Sequence, residues 1–134
     1  MKIKLLKLGY LVPIVVFSFG FSMITYQDPW SVPDKAAKTA NPLKGDAASL
    51  ATGKSLWAKH CQSCHGKTGK GDGNKAASLK TKPGDFTTAD FQKQSDGAIF
   101  YKTSEGRKDM PSFKKKIPDD DDRWSLINYI RTLK

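Results

Sequence analysis

The chain has 134 residues, enough for one domain with an appendage, and a formal net charge of +10 at pH 7. Three lysines precede an apolar run near the N-terminus, so the rest of the chain carries +7. The basic residues are scattered and form no arginine-rich strip interleaved with aromatic residues, which argues against nucleic acid as a partner. Without the N-terminal segment about 90 to 105 residues remain, a size at which an apolar core alone is marginal.

Residues 1–27 have the pattern of a signal peptide or an N-terminal membrane anchor. Lys2, Lys4 and Lys7 precede an uncharged stretch, residues 8–27, that is long enough to span a bilayer. No clear cleavage site follows, so the sequence leaves open a soluble protein after cleavage and a protein anchored to the inner membrane. In both cases we expect the remainder on the periplasmic side, because lysines stay on the cytoplasmic side.

Residues 28–45 contain three prolines and many small residues, which predicts an extended linker without a core of its own. Trp30 within it is expected either to pack on the domain or to lie at the membrane interface. The sequence changes character after this stretch. We therefore predict one folded domain over residues 46–134.

Three helices are predicted in the domain from apolar periodicity and capping residues: 47–60, 96–104 and one that begins in the aspartate run 119–122. Ser95 is a suitable N-cap for the second. Gly53 lies inside the first helix and costs helix stability, so we expect a close helix contact there. The apolar face of the last helix should bury against the first.

A five-residue motif follows the first helix and carries the chemistry of the chain. Cys61 and Cys64 are separated by two residues, and His65 follows at once. This is the spacing of a c-type haem attachment site, in which two thiols bond covalently to the haem and the histidine ligates its iron. One covalently attached haem c would also supply the core that so short a domain lacks.

Other interpretations of the same residues are weaker. A structural zinc site needs four ligands, and Cys61, Cys64, His60 and His65 are crowded too closely in sequence to close a tetrahedron easily. A thioredoxin-like dithiol would start a helix in a βαβ unit, and no β-branched run lies nearby. A disulfide between the two cysteines would close a very small loop and stabilise little.

The second axial position of the iron has one candidate. Met1 and Met23 lie in the export segment, and His60 is tethered beside the motif on the proximal side. Met110 lies in a proline- and lysine-containing loop outside any apolar stripe, which favours a ligand over a core filler. With both axial positions filled, no substrate would reach the iron.

The chain resembles class I c-type cytochromes over residues 45–134. The matching positions are Gly53-x-x-Leu56-Trp57-x-x-x-Cys61-x-x-Cys64-His65-Gly66, Pro83-x-Asp85-Phe86, Gly97-Ala98-Ile99-Phe100, Met110-Pro111-x-Phe113 and Trp124-x-x-Ile127-x-Tyr129-Ile130-Arg131. The resemblance implies an all-α cytochrome c fold, with about four short helices around one covalently bound haem and with the N- and C-terminal helices crossing. It implies thioether bonds at Cys61 and Cys64. His65 would be the proximal iron ligand and Met110 the distal one.

The resemblance also implies a function. The chain would be a monohaem one-electron carrier in an exported respiratory chain, its iron cycling between Fe(II) and Fe(III), and not an enzyme. Expected partners are redox proteins, namely an oxidase, a reductase or a dehydrogenase, that dock through acidic surfaces. Membrane association through residues 8–27 stays open. The alternatives are a haem enzyme or gas sensor with an open distal site, and a bound subunit of a larger membrane complex.

Overall fold

The computed structural model describes residues 29–134, so the predicted export segment lies outside the described residues. The described part is helical, without β-strands, which confirms the all-α prediction. Its elements are α1 Asp34–Ala37, α2 Ala47–His60, α3 Gln62–His65, a 3₁₀ turn Ala76–Ser78, α4 Ala89–Gln92, α5 Asp96–Glu105 and α6 Asp120–Ile130. The helices outnumber the four or so predicted, because α1, α3 and α4 are single turns of 4 residues each. No helix within residues 29–134 is long and apolar enough to cross a membrane.

The three longer helices begin where their capping residues predict. The Asp46 carboxylate accepts a hydrogen bond from the amide two residues later at 3.0 Å and starts α2. The Ser95 hydroxyl accepts from the amide three residues later at 3.2 Å and starts α5. Asp119 caps α6 in the same way at 2.8 Å. Each cap satisfies one of the amide groups that the first turn of a helix leaves without a partner.

Helices α2 and α6 cross in close contact, as predicted, and Gly53 lies at the crossing. A methyl group on Gly53 would overlap the carbonyl oxygen of Ser125 and lie 2.9 Å from Cβ of Tyr129. A residue with a side chain would therefore hold the two backbones apart. The glycine that lowers the helix propensity of α2 is needed for its packing.

The core lies between these two helices and the chain around α5. Its buried apolar residues are Trp57, Cys61, Ile99, Phe113, Ile117, Trp124, Leu126, Ile127, Ile130 and Leu133. The face predicted for the last helix is therefore the buried one. Cys61 belongs to this cluster, so the core continues into the five-residue motif.

Residues 33–45 differ from the extended linker predicted for residues 28–45, because they pack against α5 and α6. The hydroxyl of Ser95 donates to the carbonyl of Ala37 at 2.6 Å. A side chain at Gly97 would overlap the backbone of α1, so this glycine makes room for the segment. The Asn41 amide donates to the side-chain oxygen of Asn128 at 2.8 Å. Side-chain hydrogen bonds across long sequence separations hold the segment, and its own composition does not predict them.

Candidate functional site

The motif forms one compact turn at the end of α2. The amide of His65 donates to the carbonyl of Cys61 at 2.9 Å, and the amide of Cys64 donates to the same oxygen at 3.1 Å. Cys61 is buried, whereas Cys64 and His65 are half-buried. Both cysteines are free thiols. The predicted arrangement of two sulfurs and one imidazole on a single helical turn is therefore present.

His65 lies among aromatic rings. Its imidazole is 4.5 Å from the ring of Phe86 and 5.9 Å from that of Trp57, measured between centroids. Burial lowers the pKa of His65 to about 4, so the ring is neutral at pH 7. A neutral imidazole is the form that binds a metal. Its Nδ1 atom is buried without a hydrogen-bond partner.

The environment of Cys61 does not fit thiol redox chemistry. Burial, followed by the nearby Cys64, raises the pKa of Cys61 to about 12. Reactive dithiols have lowered thiol pKa values, whereas the pKa of Cys61 is raised. Among residues 29–134, no three His, Cys, Asp or Glu side chains come together as a metal-binding group. The zinc alternative therefore has no support from the described residues.

The glycine-rich loop after the motif, residues 66–75, folds back on it. Three amides of the loop donate to carbonyl oxygens of the motif: Gly71 to His65 (2.9 Å), Gly73 to Cys64 (3.1 Å) and Lys75 to Ser63 (2.8 Å). These carbonyls end a helix and would otherwise lack partners. A side chain at Gly73 would overlap the motif backbone. The recurrence of glycine directly after the motif is the signal in the sequence for this close approach.

The same loop positions the aromatic wall beside His65. The amide of Phe86 donates to the carbonyl of Gly69 at 2.7 Å, which fixes the backbone of Phe86 against the loop. The Phe86 ring stacks on Phe91 with centroids 4.1 Å apart. Both phenylalanines pack against the core cluster.

Met110 lies in a tight turn after α5. Its backbone and that of Arg107 exchange two hydrogen bonds, of 2.8 and 3.0 Å. The carboxylate of the neighbouring Asp109 accepts from the amide of Thr81 at 2.7 Å, which ties the turn to another loop. Met110 is half-buried and packs against the cluster that contains Cys61. The loop thus presents a thioether sulfur on the same core as the motif.

These residues fit a covalently bound haem c. Two free thiols and a neutral imidazole stand on one turn, with a methionine on the same core. Besides His65 Nδ1, the indole nitrogen of Trp57 is buried without a hydrogen-bond partner. Unpaired buried donors are rare and costly in a polypeptide, and two of them next to the motif indicate a group that the chain itself does not provide.

Comparison with known proteins agrees with this site. The family model described as cytochrome C oxidase, cbb3-type, subunit III matches residues 48–130, more than half of the chain. No curated protein sequence matches the chain. Among solved structures, the KustC0563 c-type cytochrome is 30% identical with a TM-score of 0.53, and the match covers 61% of this chain and 96% of that one.

Two other structures are similar over more of the chain. One belongs to the Kuenenia stuttgartiensis reducing HAO-like protein complex Kustc0457/Kustc0458, with 31% identity, a TM-score of 0.63 and coverage of 81% of this chain. The match spans only 52% of that protein chain, about half its length. Cytochrome CL from Methylophaga aminisulfidivorans MPT is 18% identical with a TM-score of 0.55, over 83% of this chain and 71% of its own, and shows the fold alone.

The family match covers the motif, its glycine loop and the helix crossing together. A cytochrome c domain implies covalently bound haem c and a part in electron transport. The chain belongs to the class I c-type cytochromes.

Proposed function

We propose that the chain is an exported monohaem cytochrome c that carries one electron between respiratory redox proteins on the periplasmic side. Cys61 and Cys64 would hold the haem by thioether bonds, with His65 and Met110 as its axial ligands. The haem, when bound, supplies the one-electron couple of its iron. The observation that carries the proposal is the single turn that brings two thiols and a half-buried imidazole together.

The surrounding residues hold the proposed ligands in place. Phe86 packs on the imidazole of His65, and the glycine loop closes the motif backbone behind it. The paired backbones of Arg107 and Met110 hold the residue that carries the thioether sulfur. If His65 and Met110 both ligate the iron, they would leave no site for a substrate. Histidine and methionine together also raise the reduction potential, which suits delivery of electrons towards a terminal oxidase or reductase.

The charge of the chain supports docking to acidic redox partners. Lys108 lies two residues before Met110, and Lys115 and Lys116 follow shortly after it, all exposed. Electron-transfer complexes are small and transient. A basic surface beside the Met110 loop would speed the encounter with an acidic partner and would lose this effect at high salt.

The test uses holoprotein made in a host with the haem-attachment machinery. We expect a haem-sized mass increment that survives denaturation, and in the ferric protein the weak long-wavelength band of iron bonded to methionine sulfur. The variant Met110→Leu should lose that band and bind carbon monoxide when reduced at neutral pH. His65→Ala should lose the proximal ligand, whereas the matched variant His60→Ala should keep the wild-type spectrum.

Two results would contradict the proposal. A chain without covalent haem would refute attachment at Cys61 and Cys64. A covalent haem without the sulfur band, together with carbon monoxide binding by the reduced wild-type protein, would refute ligation by Met110 and favour a haem enzyme or gas sensor.

A second candidate is a bound subunit of a larger complex. The matching family is described as an oxidase subunit, and one similar structure is part of a protein complex. A mature chain whose intact mass retains residues 1–27, and which purifies from membranes with other proteins, would support this role. A mature chain that lacks the segment and elutes alone would support the free carrier.

A further inference from the structure

Trp30 lies against two cationic side chains that belong to a distant part of the chain. The guanidinium carbon of Arg107 is 4.9 Å from the centre of the indole ring, and the ammonium nitrogen of Lys102 is 5.8 Å from it. Both distances are within the range of cation–π attraction, for which tryptophan is the best aromatic partner. Trp30 therefore touches the end of α5 and the turn that follows it.

Within that turn, the backbone of Arg107 is hydrogen-bonded to the backbone of Met110. Its amide donates to the carbonyl of Met110 at 2.8 Å, and the amide of Met110 donates back to its carbonyl at 3.0 Å. Two hydrogen bonds between the same two residues fix their relative position. A contact that restrains Arg107 consequently restrains the backbone that carries the Met110 sulfur.

The segment that follows Trp30 is itself held to the domain. The carbonyl of Ala37 accepts from the Ser95 hydroxyl at 2.6 Å, and Asn41 donates to Asn128 at 2.8 Å. These contacts fix the segment at α5 and α6. We call residues 30–45 the strap. Its later part is held to the domain by these hydrogen bonds, and Trp30, at its first position, lies against the Met110 turn.

The indole ring also stabilises a pair of like charges. Lys102 is half-buried, and its pKa is lowered, first by burial and second by the charge of Arg107. The Lys102 ammonium also bonds to the side-chain oxygen of Gln94. The electron-rich face of the indole attracts both cations and offsets their repulsion. Loss of the ring would remove this attraction from both cations.

We infer that Trp30 is a positioning residue for Met110: by stacking on Arg107, it holds closed the turn that presents the sulfur to the iron. The inference rests on the proposed ligation by Met110. It gives the strap, residues 30–45, a role in ligand exchange at the haem, beyond a tether between the export segment and the domain. Trp30 itself touches neither haem nor substrate in this scheme.

The test is the rate at which carbon monoxide binds to the reduced holoprotein, because binding must wait for the sulfur to leave the iron. We expect Trp30→Ala to raise this rate about fivefold to tenfold, the effect of two surface cation–π contacts. Trp30→Phe should recover most of the wild-type rate. Lys35→Ala, an exposed cation on the same strap, should not change it. The midpoint of urea unfolding, followed by helix content, is measured for every variant.

A double substitution tests the route through Arg107. Arg107→Gln removes the cation and keeps the backbone that pairs with Met110. If Trp30 acts through Arg107, the double variant Trp30→Ala/Arg107→Gln should bind carbon monoxide no more than about twofold faster than Trp30→Ala alone. If the two substitutions change the free energy of activation for carbon monoxide binding additively, the inference is refuted.

The remaining outcomes separate this inference from the proposed function. A sulfur band in the wild type, with an unchanged carbon monoxide rate in Trp30→Ala, would refute only the role of Trp30. A rate that rises only in proportion to lost global stability would also refute it. A wild type with covalent haem but no sulfur band would refute ligation by Met110, and the positioning role with it.

Discussion

Asn128, in the middle of α6, joins three parts of the molecule through one side-chain amide. Its nitrogen donates to the carbonyl of Leu43 at 2.6 Å and to the hydroxyl of Ser49 at 2.7 Å. Its oxygen accepts from the amide of Asn41 at 2.8 Å. Because Asn128 is buried, these three hydrogen bonds satisfy its own amide group away from water.

We predict that Asn128→Ala lowers the free energy of unfolding by about 2 to 3 kcal/mol, because it removes three hydrogen bonds that join α6 to α2 and to the strap. Urea unfolding of the holoprotein measures this change. The control is Asn74→Ala, at an exposed position, where we expect a change within about 0.5 kcal/mol. Equal stability of the two variants would show that the amide does not fasten the strap.

The candidate site was predictable from the sequence to the extent that it is local. Cys61, Cys64 and His65 are specified by spacing within five residues, and Met110 stood out because it lies outside every apolar stripe. The bonds of Asn128 span up to 87 positions. Neither periodicity nor spacing carries information over such separations, because many asparagines could form the same bonds in another fold.

At the scale of the elements, the crossing of α2 and α6 depends on Gly53. We predict that Gly53→Ala lowers the free energy of unfolding by about 2 to 3 kcal/mol, because the methyl group forces the helices apart. This loss exceeds the gain in helix propensity of about 1 kcal/mol. Thermal unfolding of the holoprotein should show a fall in Tm of about 8 °C or more.

The matched control for Gly53 is Gly84→Ala. Gly84 is exposed, and a methyl group there meets no atom within 4 Å. We expect the free energy of unfolding of the Gly84→Ala variant to stay within about 0.5 kcal/mol of the wild-type value, because the methyl group meets no atom in the folded state and restricts the unfolded chain. If the Gly53→Ala and Gly84→Ala variants have the same free energy of unfolding, α2 and α6 can move apart at little cost.

The longer helices were predictable and the single turns were not. Helix α2 has the predicted bounds, since Asp46 caps it and its apolar residues recur at helical spacing. Helices α1, α3 and α4 have 4 residues each, which is too short to show periodicity. Tertiary contacts form them, as at Gly97, where the absence of a side chain lets α1 approach.

At the scale of the whole molecule, positive charge is exposed near the proposed site of electron transfer. Lys108 and Lys115 flank Met110 and are exposed, and Lys116 lies over the ring of Phe113 at 5.6 Å. Acidic residues are concentrated at the start of α6, and one exposed carboxylate, that of Asp109, lies next to Met110. The chain beyond the first three lysines keeps a net charge of +7. An approaching redox molecule therefore meets a positive potential at this loop.

We predict opposite salt dependences for small redox reagents of opposite charge. Oxidation of the reduced holoprotein by an anionic complex such as ferricyanide should slow severalfold as ionic strength rises from about 0.01 M to about 0.5 M, because screening weakens attraction. Oxidation by a cationic cobalt complex should accelerate over the same range. Stopped-flow absorbance measures both rates.

Two double variants of equal net charge show whether the local surface or the total charge governs these rates. Lys108→Glu/Lys115→Glu reverses two charges beside Met110, and Lys38→Glu/Lys44→Glu reverses two near the other end of α5. We expect the first pair to flatten the salt dependence for the anionic reagent and the second pair to leave most of it. The electrostatic potential of a surface charge falls off within about 10 Å at 0.1 M salt. The two double variants should therefore differ in rate only if the reagent reacts at a local surface. Equal flattening by both would mean that net charge alone steers the encounter, and that the electron does not leave through the face beside Met110.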